Sequence, residues 1–478
     1  MNTAKRTIFG IAIMAAILSC NKHGTDMPGS QDGTTSGQQF TVAVESIGEL
    51  FTYGDNSTLL HDTYRSITGI TPSQTFDIMT VIIVEYGSPA KVVFKTSVTG
   101  WSNPDNKASI PWSNSNGQGR YAFIRLTGDE CLEEEKAYIA YAIGYQAGTY
   151  GNYEPFEGIG IGDEFKITET ASVPDGSVAE EIFAGAQIFW VENGRILSRR
   201  DEDSPAETGL IVLRRQVAGT FGYFTHIPAE VQGTDVAKLR LVAAKCNRTV
   251  IFGGFRGVDD PFDFIKDNVI NGMDPRTDFD ASMAGSGKAD AFTVYEAELR
   301  NWFPGNPEDE RLPYDSNGDG YLGAEDSNWQ MDTCMYRPGE ISLSPGTVFG
   351  DRFLIPFAVT PEDVDSGMMS FQLQLLDTGN RILKYWEVTL RDPDATDNGN
   401  RTIVSLPEGT TGRTLVSIID NADTEDCFSI VRNRLYTMGE KSQSQNYGMD
   451  VPVSLDSAKM LVMDARHKWS IQNAVIFN

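Results

Sequence analysis

The sequence predicts a mostly β-structured protein with few, short helices, and three observations lead there. Apolar residues recur with period two or in short β-branched runs, which places alternate side chains on opposite faces of a strand. Glycine and proline, 46 and 21 residues, punctuate the 478-residue chain at short intervals, which suits sheets with many turns and forbids long helices. Hydrophobic residues make up 40% of the chain and aromatic residues 10%, ample for real cores.

Residues 1–19 read as the signal peptide of a bacterial lipoprotein. Lys5 and Arg6 give a positive start, Ile8 to Leu18 form an apolar run, and Ile17-Leu18-Ser19-Cys20 supplies the cleavage site. The run is shorter than the roughly 20 apolar residues that a spanning helix needs, and no later stretch is that long and apolar. A cysteine directly after Leu-Ser is the position where lipoprotein processing attaches a diacylglyceryl group and exposes a new, acylated N-terminus, so Cys20 is the expected lipid anchor. Residues 20–38 are mostly polar and glycine-rich and read as a flexible tether, about 25 Å long as a coil and about 60 Å when pulled straight.

From residue 39 onward the elements are strands. Phe40, Val42 and Val44 alternate with Thr41 and Ala43; Val81 to Val84 and Val92 to Phe94 are β-branched runs; Phe371, Leu373 and Leu375 alternate with glutamines; Tyr385 to Leu390 continues the pattern. Short helices are expected at Glu133–Ala142, Asp290–Asn301 and Ser454–Lys459. A break near Glu169 to Ala179 divides a first domain, 39–185, from a second, 186–478. An Asp-, Gly- and Pro-rich region at about 256–345 reads as an insertion between strands of the second.

With 39 Lys and Arg against 66 Asp and Glu, the chain carries a formal charge of −27, and loss of Lys5 and Arg6 with the signal peptide takes it to −29. Nucleic acid and anionic lipid are therefore disfavoured partners. With Cys20 lipidated, Cys131, Cys246, Cys334 and Cys427 remain at spacings that match no metal-ligand pattern and assign no disulfide.

Three segments carry a family resemblance through their order and spacing. Glu181-Ile-Phe-Ala-Gly185 is followed by Leu213-Arg-Arg-Gln-Val-Ala-Gly-Thr-Phe-Gly-Tyr-Phe-Thr-His-Ile-Pro228, with Val236-Ala-Lys-Leu-Arg-Leu-Val242 behind it, and Ile430-Val-Arg-Asn-Arg-Leu-Tyr-Thr-Met-Gly439 stands near the end. Together with the lipoprotein start, this resembles the fimbrillin-like (type V pilus) subunits of Bacteroidales, which include shaft, anchor and tip proteins. The resemblance implies two transthyretin-like β-sandwich domains and a lipoprotein of the outer membrane at the cell surface. It also implies partnership with other fimbrial subunits by strand complementation: a protease cuts after a basic residue, the first strand leaves, and a neighbour's extended segment fills the groove. Between Lys22 and Arg65 there is no Lys or Arg, so Arg65 is the cut that would remove Phe40 to Val44. Uncut, the chain would keep its lipid and act as an anchor or a monomer. Met460 to Met463 and Trp469 to Phe477 are the strand-like runs near the end, each either a donor or a strand of its own domain. By themselves, Arg214 and Arg215 read as strand residues pointing to solvent, and Arg432-Asn-Arg434 as a polar strand end.

The sharpest chemical motif is Asp315-Ser-Asn-Gly-Asp-Gly-Tyr-Leu-Gly-Ala-Glu-Asp326. Asp315, Asn317 and Asp319 at positions 1, 3 and 5, a glycine at 6, the Tyr321 carbonyl at 7 and Asp326 at 12 match a Ca²⁺-binding loop, except that position 12 is ordinarily Glu. Pro313 argues against an entering helix, so this is a free loop whose ion would be structural; the same residues also suit an Asp-Asn-Gly turn without an ion. No catalytic constellation is present: the four histidines, His23, His61, His226 and His467, are scattered, and there is no nucleophile elbow or phosphate-binding glycine loop. The chain is therefore expected not to be an enzyme. A second functional class is a surface glycan-binding β-sandwich lipoprotein, with Trp101, Trp112, Trp302 and Trp329 stacking on sugars.

Overall fold

The computed structural model describes residues 37–44, 76–101, 108–114, 117–146, 148–166, 169–174, 179–198, 207–243, 246–253, 269–273, 293–333, 343–357, 370–391, 402–405, 419–420, 429–440, 451–456, 458 and 460–466. The chain is all-β. Its strands begin with β1 (Gly37–Val44), β2 (Ile78–Glu85), β3 (Val92–Thr99), β4 (Ile110–Asn114), β5 (Gly117–Thr127), β6 (Ala137–Tyr145), β7 (Thr170–Ser172), β8 (Ile182–Glu192), β9 (Arg195–Ser198), β10 (Glu207–Thr208), β11 (Leu210–Arg215) and β12 (Ala218–Thr225). Short pieces β13 (Ile227–Pro228), β14 (Glu230–Val231) and β15 (Thr234–Asp235) lead to β16 (Lys238–Ala243), β17 (Thr249–Ile251), β18 (Val269–Ile270), β19 (Gly272–Met273), β20 (Thr293–Glu298), β21 (Tyr321–Leu322) and β22 (Val348–Leu354). The last are β23 (Phe371–Leu376), β24 (Ile382–Arg391), β25 (Thr402–Ser405), β26 (Ile419–Asp420), β27 (Leu435–Met438), β28 (Val453–Ser454) and β29 (Leu461–Arg466).

A ten-stranded sheet takes the order β3-β2-β6-β8-β11-β1-β5-β4, with β9 on β8 and β10 on β9. Its middle strands are buried on both faces. Met79, Val81 and Ile83 of β2 and Tyr138, Ala140 and Ala142 of β6 face one core, while Ile82, Val84, Ile139, Tyr141 and Ile143 face the other. This double burial corrects the expected helix at Glu133–Ala142: Ala and Glu favour helix, but Ala137-Tyr-Ile-Ala-Tyr-Ala-Ile-Gly-Tyr145 presents an apolar residue to each side in turn, and packing overrides propensity. A division at 185/186 falls inside β8, and the sheet continues through β11 to Arg215.

A nine-stranded sheet takes the order β20-β16-β23-β24-β29-β27-β12-β22, with β28 beside β12, and encloses Phe221, Leu239, Leu241, Leu373, Val388 and Leu435 among others. Its end strands, β20 and β22, come close together. Tyr295 of β20 lies over the cross-strand pair Gly222 and Gly350 of β12 and β22, where a Cβ on Gly350 would collide with its ring and one on Gly222 with its hydroxyl and the Phe224 ring. Thr293–Glu298 is thus an edge strand, followed by a one-turn helix α1 (Leu299–Trp302), which corrects the helix expected over Asp290–Asn301. Within 256–345, β20 belongs to the sheet, and Trp302, Phe303 and Leu322 are fully buried. Ser454 closes β28 rather than opening a helix. A small sheet, β19-β17-β7, ties the segment between β6 and β8 to the one after β16. Among the described residues no helix is long and apolar enough to cross a membrane.

Candidate functional site

The seat of β1 is the first place where the sequence expectations meet. β1 is an interior strand: it pairs antiparallel with β5 from Gly37↔Thr127 to Ala43↔Tyr121, and parallel with β11 from Thr41↔Leu210 to Val44↔Leu213. Period two sends Phe40, Val42 and Val44 into the core, at 0 to 1% exposure, and leaves Thr41 and Ala43 part-exposed. The Phe40 ring meets Phe189 at 5.1 Å between centroids. The Thr41 N–H donates to the Gly209 carbonyl at 2.8 Å. Gly209 allows this approach, because a Cβ there would stand 2.7 Å from Ile196 Cγ2 and 3.2 Å from Phe40 Cβ. Gln38, also buried, has its amide against the main chain of Leu132. Cys20, Arg65 and Trp469 to Phe477 lie outside the described residues. Met460 to Met463 is placed: Leu461–Arg466 runs parallel to β24 and antiparallel to β27, so it completes the second sheet of its own chain.

Arg215 ends β11, and its side chain is buried rather than in solvent, a correction to the expectation for this strand. Its Nε donates to Glu181 Oε1 at 2.9 Å, Nη2 bonds the same oxygen, and the guanidinium lies 5.0 Å from the Phe183 ring centroid. The next residue, Gln216, is also fully buried; it accepts at Oε1 from Arg432 Nη1 at 2.7 Å and at its carbonyl from Asn271 Nδ2 at 3.0 Å. The polar strand end Arg432-Asn-Arg434 is therefore a buried clamp on the chain where it passes from β11 to β12. Nearby, the Tyr153 hydroxyl donates to Glu169 Oε2 at 3.1 Å, and burial pushes the Glu169 carboxyl above its ordinary pKa.

The acidic loop 315–326 is docked on the second sheet. β21 pairs with β13 directly after β12, and the Ala229 N–H donates to the Gly320 carbonyl at 3.0 Å. Gly346 gives the loop room, since a Cβ there would run into the backbone of Gly323 and Ala324. Asp315 accepts the N–H groups of Gly318 and Gly320, each at 2.7 Å, and both glycines have positive φ, as turns this tight require. Asn317 Oδ1 accepts from Asp319 N, and Asp319 Oδ1 from Tyr321 N, each at 2.8 Å. Asp326, only 5% exposed, takes Ser316 N at 2.7 Å on one oxygen and Gly323 N at 2.8 Å on the other, which pins the two ends of the loop together. The turns thus set each carboxylate, with both oxygens of Asp315 and of Asp326 taken by backbone N–H groups. Among the described residues no three His, Cys, Asp or Glu side chains are gathered as a metal cluster. His226 stands beside the loop, its Nε2 3.6 Å from Glu325.

Trp101 and Trp302 are fully buried, and Trp329 donates from its ring N–H to the Thr347 carbonyl at 2.8 Å, so the sugar-stacking role is closed to the first two. Cys131 Sγ donates to the Leu126 carbonyl at 3.5 Å and Cys246 Sγ to the Asn247 carbonyl at 3.8 Å, and the remaining cysteines lie outside the described residues.

No protein-family model matches this chain, and no curated protein does. Solved structures with some likeness include a candidate cell adhesion protein from Parabacteroides distasonis, at 10% identity and TM-score 0.33, covering 91% of this chain and 99% of that one. The tip fimbrial protein of Porphyromonas gingivalis, with a C-terminal truncation, stands at 7% and 0.31 over 84% and 94%. The fimbrial anchor protein of the same organism stands at 10% and 0.30 over 84% and 90%. Likenesses this distant say nothing about what the chain binds.

Proposed function

We propose that this chain is a structural or adhesive subunit of a cell-surface fimbrium, exported as an outer-membrane lipoprotein on Cys20 and joined to other subunits by strand exchange. The observation that carries the reading is the seat of β1. An N-terminal strand sits in the middle of a sheet with a ladder on each side and three side chains in the core, and Arg65 lies in the chain between it and β2. A cut there frees β1 on that side, and its departure would leave two unpaired strand edges and an apolar trough that an alternating strand from another subunit satisfies. Without the cut, the lipid stays joined to the folded body and the chain serves as an anchor or stays a monomer. The acidic loop is assigned a structural Ca²⁺, held by Asp315, Asn317, Asp319, the Tyr321 carbonyl and Asp326, which would relieve repulsion among its carboxylates. None of these groups is asked to perform chemistry on a substrate.

Trypsin at low dose on lipid-free protein, residues 21–478, tests the reading. A single cut after Arg65 followed by ladders that survive SDS without boiling supports strand exchange; resistance at Arg65 with a persistent monomer refutes a polymerising role.

A further inference from the structure

We propose that the main chain of Leu132, met here by Gln38, is an amide-reading position in the β1 seat, so that a strand entering from another subunit is selected for Gln or Asn two residues ahead of a large apolar residue. The inference rests on the strand-exchange reading and specifies the partner that reading requires. The occupant is a neighbouring subunit's extended segment, and its chemistry is given by β1, which fills the seat here.

Most of what holds β1 does not discriminate. The ladders to β5 and β11 use backbone groups that every strand carries, and the pockets taken by Phe40, Val42 and Val44 accept bulky apolar residues in general. Gln38 differs. It is 7% exposed, its Nε2 donates to the Leu132 carbonyl at 2.8 Å, and its Oε1 accepts the Leu132 N–H at 2.7 Å. Leu132 is itself buried, on the connection between β5 and β6, and is not a ladder partner of β1. The side-chain amide thus acts as a short piece of strand, satisfying one donor and one acceptor in a site with little water. Leucine there leaves both Leu132 groups without their partner; glutamate can accept the N–H but offers the carbonyl no proton; asparagine has the right groups on a shorter stem. The pair also sets register. A slip of two residues keeps the correct face but puts Phe40 against Leu132, and a slip of one turns the apolar face out.

The test uses the full chain, cut after Arg65 by trypsin or through a protease site inserted there, with β1 left in place. Fluorescent 11-residue peptides with the sequence of residues 36–46 are then added, carrying Gln, Asn, Glu or Leu at position 38, and their uptake is read by anisotropy. The native peptide is expected to enter best, Asn to follow, and Glu and Leu to bind at least tenfold more weakly although Leu is the more apolar. Equal or tighter binding of the Leu peptide overturns the amide position while leaving strand exchange intact. If no peptide enters, the exchange reading fails. The amide contact is then decided in the uncut chain, where Gln38→Leu is expected to speed hydrogen exchange at the Leu132 amide at least tenfold and Gln38→Asn to speed it less. Unchanged exchange in Gln38→Leu overturns the contact itself.

Discussion

Phe40→Ala is the most informative single perturbation of the β1 seat. The ring is fully buried and packs on Phe189 at 5.1 Å, next to the close approach that Gly209 permits. Returning a side chain of this size to water costs about 1.5–3 kcal/mol. The cavity adds to that, because Ile196 and Phe189 are held by their own strands, and the total for Phe→Ala at a site that cannot collapse is about 3–5 kcal/mol. Where the loss shows is as telling as its size. If β1 is a strand the sheet can release, the mutation raises hydrogen exchange first along Gly37–Val44 and the facing edges of β5 and β11, and leaves β12, β16 and β23 protected. Urea denaturation gives the total, and exchange read by mass spectrometry gives the place. A loss below about 1 kcal/mol, or a uniform rise in exchange over both sheets, would show that β1 is not a separately held strand and refute the reasoning.

Other outcomes follow from the same geometry. Gly222→Ala, which drives a methyl into the Tyr295 hydroxyl and the Phe224 ring, is expected to lower stability by about 1–3 kcal/mol in thermal unfolding. Tyr295→Phe is expected to be neutral or stabilising by about 1 kcal/mol, because the buried Tyr295 hydroxyl has no hydrogen-bond partner among the described residues; a clear loss would show that the hydroxyl is satisfied in solution. Addition of Ca²⁺ to metal-free protein is expected to raise Tm, with EDTA reversing it and Asp315→Asn together with Asp319→Asn abolishing it; no shift at millimolar Ca²⁺ rules out the ion. Burial raises the folded-state pKa of Glu169, so its ionised form opposes folding above that pKa and costs nothing once the pH falls below the unfolded value. Glu169→Gln, which can still accept from Tyr153, should therefore melt above wild type at pH 7, and the gap should close as the pH drops below about 4.3.

The period-two segments were legible because each carries its own proof: Phe40, Val42 and Val44 alternate in sequence and are buried in turn in β1, and the runs at Val81, Val92, Phe371 and Tyr385 fall in β2, β3, β23 and β24. The misread helix at Glu133–Ala142 has a physical cause. In β6 both faces meet apolar cores, so alternation disappears from the sequence, and what remains is a run of Ala, Tyr and Ile preceded by glutamates, which locally favours helix. The acidic loop was legible in its turns, because Asx and Gly chemistry is local, but not in the use of both Asp326 oxygens on backbone amides, which depends on how the ends of the loop are brought together.

Gln38 shows where sequence reasoning stops. Its amide meets a main chain 94 residues away, and no spacing or motif announces such a partner. At the polar edge of a glycine-rich tether it reads as one more hydrophilic residue. A hint does exist in the pattern: Gln38 falls on the same parity as Phe40, Val42 and Val44, so any register that buries those three must also bury the amide. A polar side chain forced into a core by its neighbours' periodicity needs a partner, since burying an amide without one costs more than the hydrogen bond returns in water. The same argument, run along β11, exposes the error over Arg215: it shares parity with Ile211 and Leu213, both buried, and so had to turn inward and find Glu181. For strands, the face of a polar residue is decided by the apolar residues two positions away.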